Sequence, residues 1–432
     1  MSKTIFDHCS IKKQKLFSFV LLFIFCSFSS KNSKDYSNEK IYIQFDKPSY
    51  YAGEDVWFKT YLLDAATHSV NTLSKVVYVE LISPSNDIIE TKTIKIIDGG
   101  GEGYFKLSPK LTLGEYTIRA YTNYIRNFDS VYFFRKKILI QTLKKERQTN
   151  AVLDANKIKK PKPDIQFFPE GGYLVSGFLN KVGFKAVGAN GKGIDVEGTI
   201  TDNSGKEILK LKSLKFGMGA FTFVPKKNSF YKLNIVHEGV KLVYNLPTAT
   251  KHAVIMQVTE RKKEYRITLQ SSLNTRFNNC RFIATQRSGV VFSAKLAGNK
   301  GNTVINVPKN ILEQGIVKFT LFNNEKPLSE RLAFYETDEV NFNVNIKPSK
   351  QEYGTRELIE LEISLDSILQ RNVQTNMSIA VTDMSTVEPD PFGLEIRSQL
   401  LLNSELKGYI EKPGYYFNSN DPERKRLESG NL

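Results

Sequence analysis

The sequence predicts an all-β protein: a tandem array of immunoglobulin-like β-sandwich domains with a short helical segment near its C-terminus. Three observations lead there. Apolar and polar residues alternate with period two from Lys40 onward. Glycine, proline and asparagine interrupt that alternation at short intervals, and a single late stretch shows helical spacing instead. The chain has 432 residues, more than one hydrophobic core usually serves, so several domains are expected. Its 41% hydrophobic and 12% aromatic content suits packed strands rather than disorder.

At the N-terminus, KKQK (12–15) precedes the apolar run LFSFVLLFIFCSFSS (16–30). A comfortable membrane span needs ~20 apolar residues, and this run is shorter. Ser27 and Ser29 stand at positions −3 and −1 of a cut after Ser29, so residues 1–29 read as an export signal that leaves no transmembrane span behind. Cys26 raises lipidation as the alternative, but Phe25 occupies the position where lipoprotein signals carry a small residue.

The first sandwich is expected over 40–143. KVVYVELISP alternates up to Pro84, TKTIKII runs into the glycine cluster at 99–103, and GEYTIRAYT sets Tyr116, Ile118 and Ala120 on one face. Residues 144–163 are basic and proline-containing, and read as a solvated linker. A second sandwich is expected over 164–249. There Asn190-Gly191 signals a type I′ hairpin, which needs positive φ at both central positions, and Phe221 and Phe223 share a strand face. A third is expected over 250–340, with YRITLQ, CRFIATQ and GIVKFTLF as strands, and a fourth over 341–390, complete or partial. Within 391–432, the stretch 393–409 carries Leu394, Ile396, Leu400, Leu401 and Leu402 at helical spacing, with Gly408 as a stop. After Phe417 so few apolar residues remain that 418–432 is expected to be a mobile tail.

Net charge is +16, but the lysines are scattered and no nucleic-acid motif organises them, so a nucleic-acid partner is not expected. Internal similarity supports modularity: DKPSYYAGEDVWF (46–58) recurs loosely, with altered spacing, as IKPSKQEYGTRELIEL (346–361), and YLVSGFLNKVGFKA (173–186) keeps a fainter trace.

The first of these stretches resembles the macroglobulin-domain signature of the alpha-2-macroglobulin and complement family. The residues that match are Gln44, Asp46, Lys47, Pro48, Tyr50, Gly53, Val56 and Phe58. The resemblance implies a strand, a turn and the next strand of a seven-stranded sandwich. Local chemistry agrees, since Pro48 cannot donate to a ladder, Gly53 eases a turn, and Val56 with Phe58 share a face. LGEYTIRAYT (113–122) looks like the closing strands of such a domain. DIQFFPEGGYLVSG, GMGAFTF, SIAVTD and LLLNSELKGYIEKPGYYF resemble exported proteins of the Bacteroidetes that carry several macroglobulin-like domains. Many of those continue into a carboxypeptidase-regulatory-like sandwich and a TonB-receptor plug-like domain, so this chain is expected to be a shortened relative.

Signatures of chemistry are sparse. The family's trapping mechanism depends on a Cys-Gly-Glu-Gln thioester, whereas Cys280 is followed by Arg281 and Phe282. As a lone thiol in a strand pattern it reads as a buried small hydrophobe. His68, His237 and His252 are far apart and form no metal motif. IIDGGGEGYF lacks calcium-ligand spacing and GANGKG (188–193) is no phosphate-binding loop, so both read as turns. EPDP (388–391) reads as a rigid connector, and no nucleophile elbow is present. No catalytic residue, cofactor or metal is expected. The function expected is that of a non-enzymatic cell-envelope scaffold or interaction module, in the periplasm or at the outer membrane. Its expected partner is an unidentified envelope protein, such as a protease or an outer-membrane transport component. Endopeptidase inhibition without a thioester, and an accessory role in TonB-linked uptake, are the alternatives.

Overall fold

The computed structural model describes residues 38–70, 73–141, 162–272, 277, 279–296, 301–337, 344–365, 375–388 and 390–417. The signal at 1–29, most of the 144–163 linker and the tail at 418–432 lie outside the described residues.

Eight strands build the first sandwich: β1 (Glu39–Phe45), β2 (Ser49–Tyr51), β3 (Asp55–Asp64), β4 (Val76–Ile82), β5 (Ile88–Lys95), β6 (Gly100–Lys106), β7 (Gly114–Tyr121) and β8 (Phe134–Gln141). The second comprises β9 (Asp164–Pro169), β10 (Asn180–Val187), β11 (Glu197–Asp202), β12 (Glu207–Lys212), β13 (Met218–Phe223), β14 (Tyr231–His237) and β15 (Val240–Asn245). The third comprises β16 (Val254–Glu260), β17 (Glu264–Ser271), β18 (Cys280–Gln286), β19 (Gly289–Leu296), β20 (Asn302–Pro308), β21 (Gly315–Asn323) and β22 (Lys326–Tyr335).

One topology repeats in all three. A three-stranded sheet (β1-β3-β6, β13-β10-β9, β16-β17-β20) faces a four-stranded one (β8-β7-β4-β5, β12-β11-β14-β15, β19-β18-β21-β22). The first sandwich adds β2, which pairs in parallel with the end of β8. Period-two alternation is what lets two sheets close on one another, because each strand turns every second residue inward. Thus β10 buries Asn180, Val182, Phe184 and Ala186, and β7 buries Tyr116, Ile118 and Ala120. Each sandwich has its own apolar core, with Phe58 and Phe105 in the first, Phe184 and Phe221 in the second, and Phe282 and Phe319 in the third.

Two expectations need correction. Asn190-Gly191 does not form a type I′ hairpin, because among its central residues only Gly191 has positive φ. Gly191 N donates to Gly188 O, and Asn190 Oδ1 accepts from Lys192 N, so the asparagine side chain closes the turn that its backbone was expected to make. In the region 341–390, where a fourth sandwich, complete or partial, is expected, the described residues include one antiparallel hairpin, β23 (Val344–Pro348) with β24 (Leu361–Leu365). The C-terminal helix is also shorter than its leucines suggested. A single turn, α1 (Ile396–Ser398), passes into a π-helical turn at Gln399–Asn403, and a 3₁₀ turn follows at Pro413–Phe417. The break has a physical cause: Lys40 Nζ donates to Leu400 O at 2.8 Å, and Ser404 N reaches back five residues to Gln399 O, so the regular ladder cannot continue.

Candidate functional site

The signature residues build a turn. Tyr50 is buried, and its hydroxyl donates to Asp46 Oδ1 (2.6 Å) while accepting from Lys47 N (3.2 Å). Burial, then the bond to Asp46, pushes the Tyr50 pKa above its ordinary range. Glu54 Oε2 receives Lys47 Nζ and Tyr51 N, both at 2.8 Å. Gly53 holds φ +98° there, a conformation a side chain would strain. Val56 and Phe58 turn inward and Phe58 meets Phe105 at 5.5 Å, while Trp57 points outward onto Tyr104. Gln44 bridges Tyr42 OH and Phe45 O, and Pro48 leads into β2. The eight residues form a rigid corner and no reactive constellation.

The same corner recurs 303 residues later. Lys350 N donates to Tyr353 OH (2.9 Å), Lys350 Nζ pairs with Glu357, and Gly354 N donates to Glu357 Oε2 (2.7 Å). Backbone bonds follow suit: Asp46 N to Trp57 O becomes Ser349 N to Glu360 O, and Glu54 N to Tyr51 O becomes Glu357 N to Gly354 O. Arg356 has positive φ where Gly53 does. Strand register agrees as well, since Phe45↔Phe58 corresponds to Pro348↔Leu361. The β23–β24 hairpin therefore repeats the hydrogen bonds and register of the hairpin that opens the first sandwich. Burial differs sharply. Ile41 and Ile43 are 2% and 0% exposed in the first sandwich, but their counterparts Val344 and Ile346 are 48% and 57% exposed. Leu361 and Ile363 are likewise exposed.

Residues 390–417 touch all three sandwiches. Gln399 Nε2 donates to Ile41 O and Leu394 packs on the first core. Glu411 accepts from Gly193 N at 2.8 Å, and Tyr415 meets Phe216 edge-on in the second sandwich. Arg397 pairs with Glu336, and Phe417 stacks edge-on against Phe334 in the third. Lys40 anchors this segment: its buried ammonium contacts Leu400 O, Glu405 and His68 Nε2 (3.0 Å). Burial lowers the Lys40 pKa although Glu405 opposes the shift, and burial beside Lys40 and Arg287 lowers that of His68 to about 3.

Between β8 of the first sandwich and this segment lies an open cleft of about 990 Å³. Gln44, Asp46, Lys47 and Pro48 form one wall, so the structural signature also borders a cavity. Lys136 belongs to the inward row of β8, between Phe134 and Ile138, with its Nζ over the Phe45 ring at 5.2 Å. Burial lowers its pKa, and the charge of Asp390 offsets this only in part. The cleft's carboxylates are largely engaged elsewhere: Glu115 by Lys137, Asp390 by Lys412, Glu411 by Gly193 N and Glu395 in the cap of α1. Sequence reasoning passed over Lys40 and Lys136. The signal at Lys136 was a strand lysine with apolar Phe134 and Ile138 two residues to either side; Lys40, with Asn38 before it and Tyr42 after it, carried only half of that pattern.

Other sequence candidates lie apart. Cys280 is buried in the third core, and burial raises its thiol pKa. Among the described residues no group of three or more His, Cys, Asp or Glu side chains could hold a metal ion, and no helix is long and apolar enough to cross a membrane. Asp98 and Gly99 form a tight turn within IIDGGGEGYF, and Asp390 in EPDP accepts from Phe392 N and Lys412 Nζ.

Fold and surfaces together define a multi-domain β-sandwich array with an open hairpin and an inter-element cleft. No protein-family model and no curated protein matches the chain. Among solved structures it is similar to Escherichia coli alpha-2-macroglobulin activated by porcine elastase, at 9% identity and TM-score 0.27, covering 76% of this chain and 33% of that one. It is similar to Salmonella alpha-2-macroglobulin reacted with methylamine at 12% and 0.22, covering 76% and 25%. Dimeric latent PorU from Porphyromonas gingivalis is similar at 13% and 0.28, covering 68% and 33%. The chain thus spans about a quarter to a third of the length of these proteins. With identities and superpositions this low, the architecture rests on the strand pairings themselves.

Proposed function

We propose that this chain is a non-enzymatic protein-interaction module of the cell envelope, exported by the signal read at 1–29. The observation that carries the reading is the β23–β24 hairpin. It has the hydrogen bonds and register of β1–β3, yet the apolar row that β1–β3 buries stands open on it. Exposed apolar strand faces and strand edges are surfaces on which sandwich proteins dock partners. Fold alone does not assign function, so the reading stands on this surface.

The test is capture from envelope extract by the mature chain, run beside the double variant Ile346→Asp, Leu361→Asp. Both positions are exposed, so the variant is expected to fold. The reading expects a partner retained by the natural chain and lost by the variant. Identical capture by both, or dose-dependent protection of large protease substrates with small peptides still hydrolysed, would overturn it; the latter outcome favours an inhibitor.

A further inference from the structure

We propose that the cleft beside β8 binds an extended, acidic peptide segment of a partner protein, which adds a strand along 134–138 and sets a carboxylate against Lys136. This rests on the interaction-module reading and names a second surface, separate from the open hairpin.

Two independent observations meet in the cleft. One is an incomplete strand edge. On one side β8 pairs with β7 from Phe134 to Ile140, but on the other β2 reaches only Leu139, Ile140 and Gln141. Among the described residues no other strand pairs with 134–138, so that edge presents main-chain donors and acceptors to the cleft. An extended peptide satisfies such groups by continuing the ladder.

The other observation is charge. Inward strand positions are rarely given to lysine unless its ammonium is paired. Lys136 takes such a position; its Nζ lies over the Phe45 ring at 5.2 Å and among the described residues makes no hydrogen bond or ion pair, the charge of Asp390 acting on it while that carboxylate is bonded to Lys412. Among the described residues Lys192 is a further cleft lysine whose ammonium makes no ion pair, whereas Glu388 is the cleft carboxylate left without a partner, and it is exposed. A carboxylate arriving on a peptide would give Lys136 a direct ion pair, which Asp390, held by Lys412, does not provide. The volume, about 990 Å³, accommodates several residues of extended chain and is far larger than a single ion requires.

The probe is a fluorescein-labelled nonapeptide of alternating threonine and valine with one central aspartate, titrated into the full chain by fluorescence anisotropy. Comparison peptides carry a central lysine, or N-methyl groups on alternate amides. The aspartate peptide is expected to bind at least tenfold more tightly than either. Lys136→Met keeps the stem, removes the charge, and is expected to weaken the aspartate peptide at least tenfold while raising Tm. A merely structural lysine would not separate binding from stability in this way. Equal binding of all three peptides, undiminished binding by Lys136→Met, or no binding at millimolar peptide overturns the inference. Partner capture through the hairpin is read separately and stands or falls by its own variant.

Discussion

Phe58 and Leu361 occupy the same register position in two copies of one hairpin, so truncating each to alanine is a controlled comparison. Phe58 is 5% exposed and packs on Phe45 (6.1 Å) and Phe105 (5.5 Å) in the first core. A buried phenylalanine removes ~150–250 Å² from water, and at ~25 cal/mol per Å² its transfer term reaches several kcal/mol. Allowing for partial collapse of the cavity, Phe58→Ala should cost about 3–5 kcal/mol. For a sandwich of roughly 100 residues, each kcal/mol moves Tm by about 4–8 °C, so the transition of this sandwich should fall by about 12–40 °C. Leu361→Ala removes a side chain 39% exposed and should cost under about 1 kcal/mol. Calorimetry on the full chain reads both. Equal destabilisation by the two variants would refute the argument, because it would mean that the hairpin face is covered as the β1–β3 face is.

Three further outcomes are expected. The folded-state pKa of His68, about 3, lies below the ordinary value, so the unfolded chain binds the proton first and stability falls as pH drops from about 6.5 toward 3. Screening at this half-buried site keeps the slope to a fraction of ~1.4 kcal/mol per pH unit, and His68→Gln should flatten denaturant midpoints measured between pH 6 and 4; an unchanged pH profile contradicts this. Gly193→Ala would set a Cβ 1.9 Å from Phe216 O, so a loss of about 1–3 kcal/mol and loosening of Glu411 from Gly193 N are expected in chemical denaturation and amide exchange, and an unmoved midpoint counts against the packing described. Cys280→Ala should leave partner capture unchanged and cost about 1 kcal/mol, whereas incorporation of methylamine at Cys280 would contradict its structural role.

The sandwiches were legible because alternation is a local property: KVVYVELI and GEYTIRAY announce their buried faces without reference to any neighbour. The internal repeat was legible only in part. Shared letters align Lys47-Pro48-Ser49 with Lys347-Pro348-Ser349, but the hydrogen bonds align Lys47 with Lys350, Tyr50 with Tyr353 and Glu54 with Glu357. Side-chain bonding fixes that register, and identity over three residues misplaces it. The helix was over-read because the turn 399–403, with Leu400, Leu401 and Leu402 all buried, packs against β1 of the first sandwich and β21 of the third rather than along one stripe. Lys40 and Lys136 escaped notice for a related reason. A strand pattern shows which face a residue takes, but not which distant segment arrives to cover it, here 390–417.

Site-specific photo-cross-linking in intact envelope tests whether the open β23–β24 face is a protein-docking surface. A benzophenone side chain would replace Ile346, and a control would carry it at Val236, an equally exposed position on the second sandwich. A docking face at β23–β24 should give a discrete adduct from position 346 that is absent from position 236 and disappears when Leu361→Asp is added. Adducts of the same pattern from both positions, or none from position 346, would contradict it.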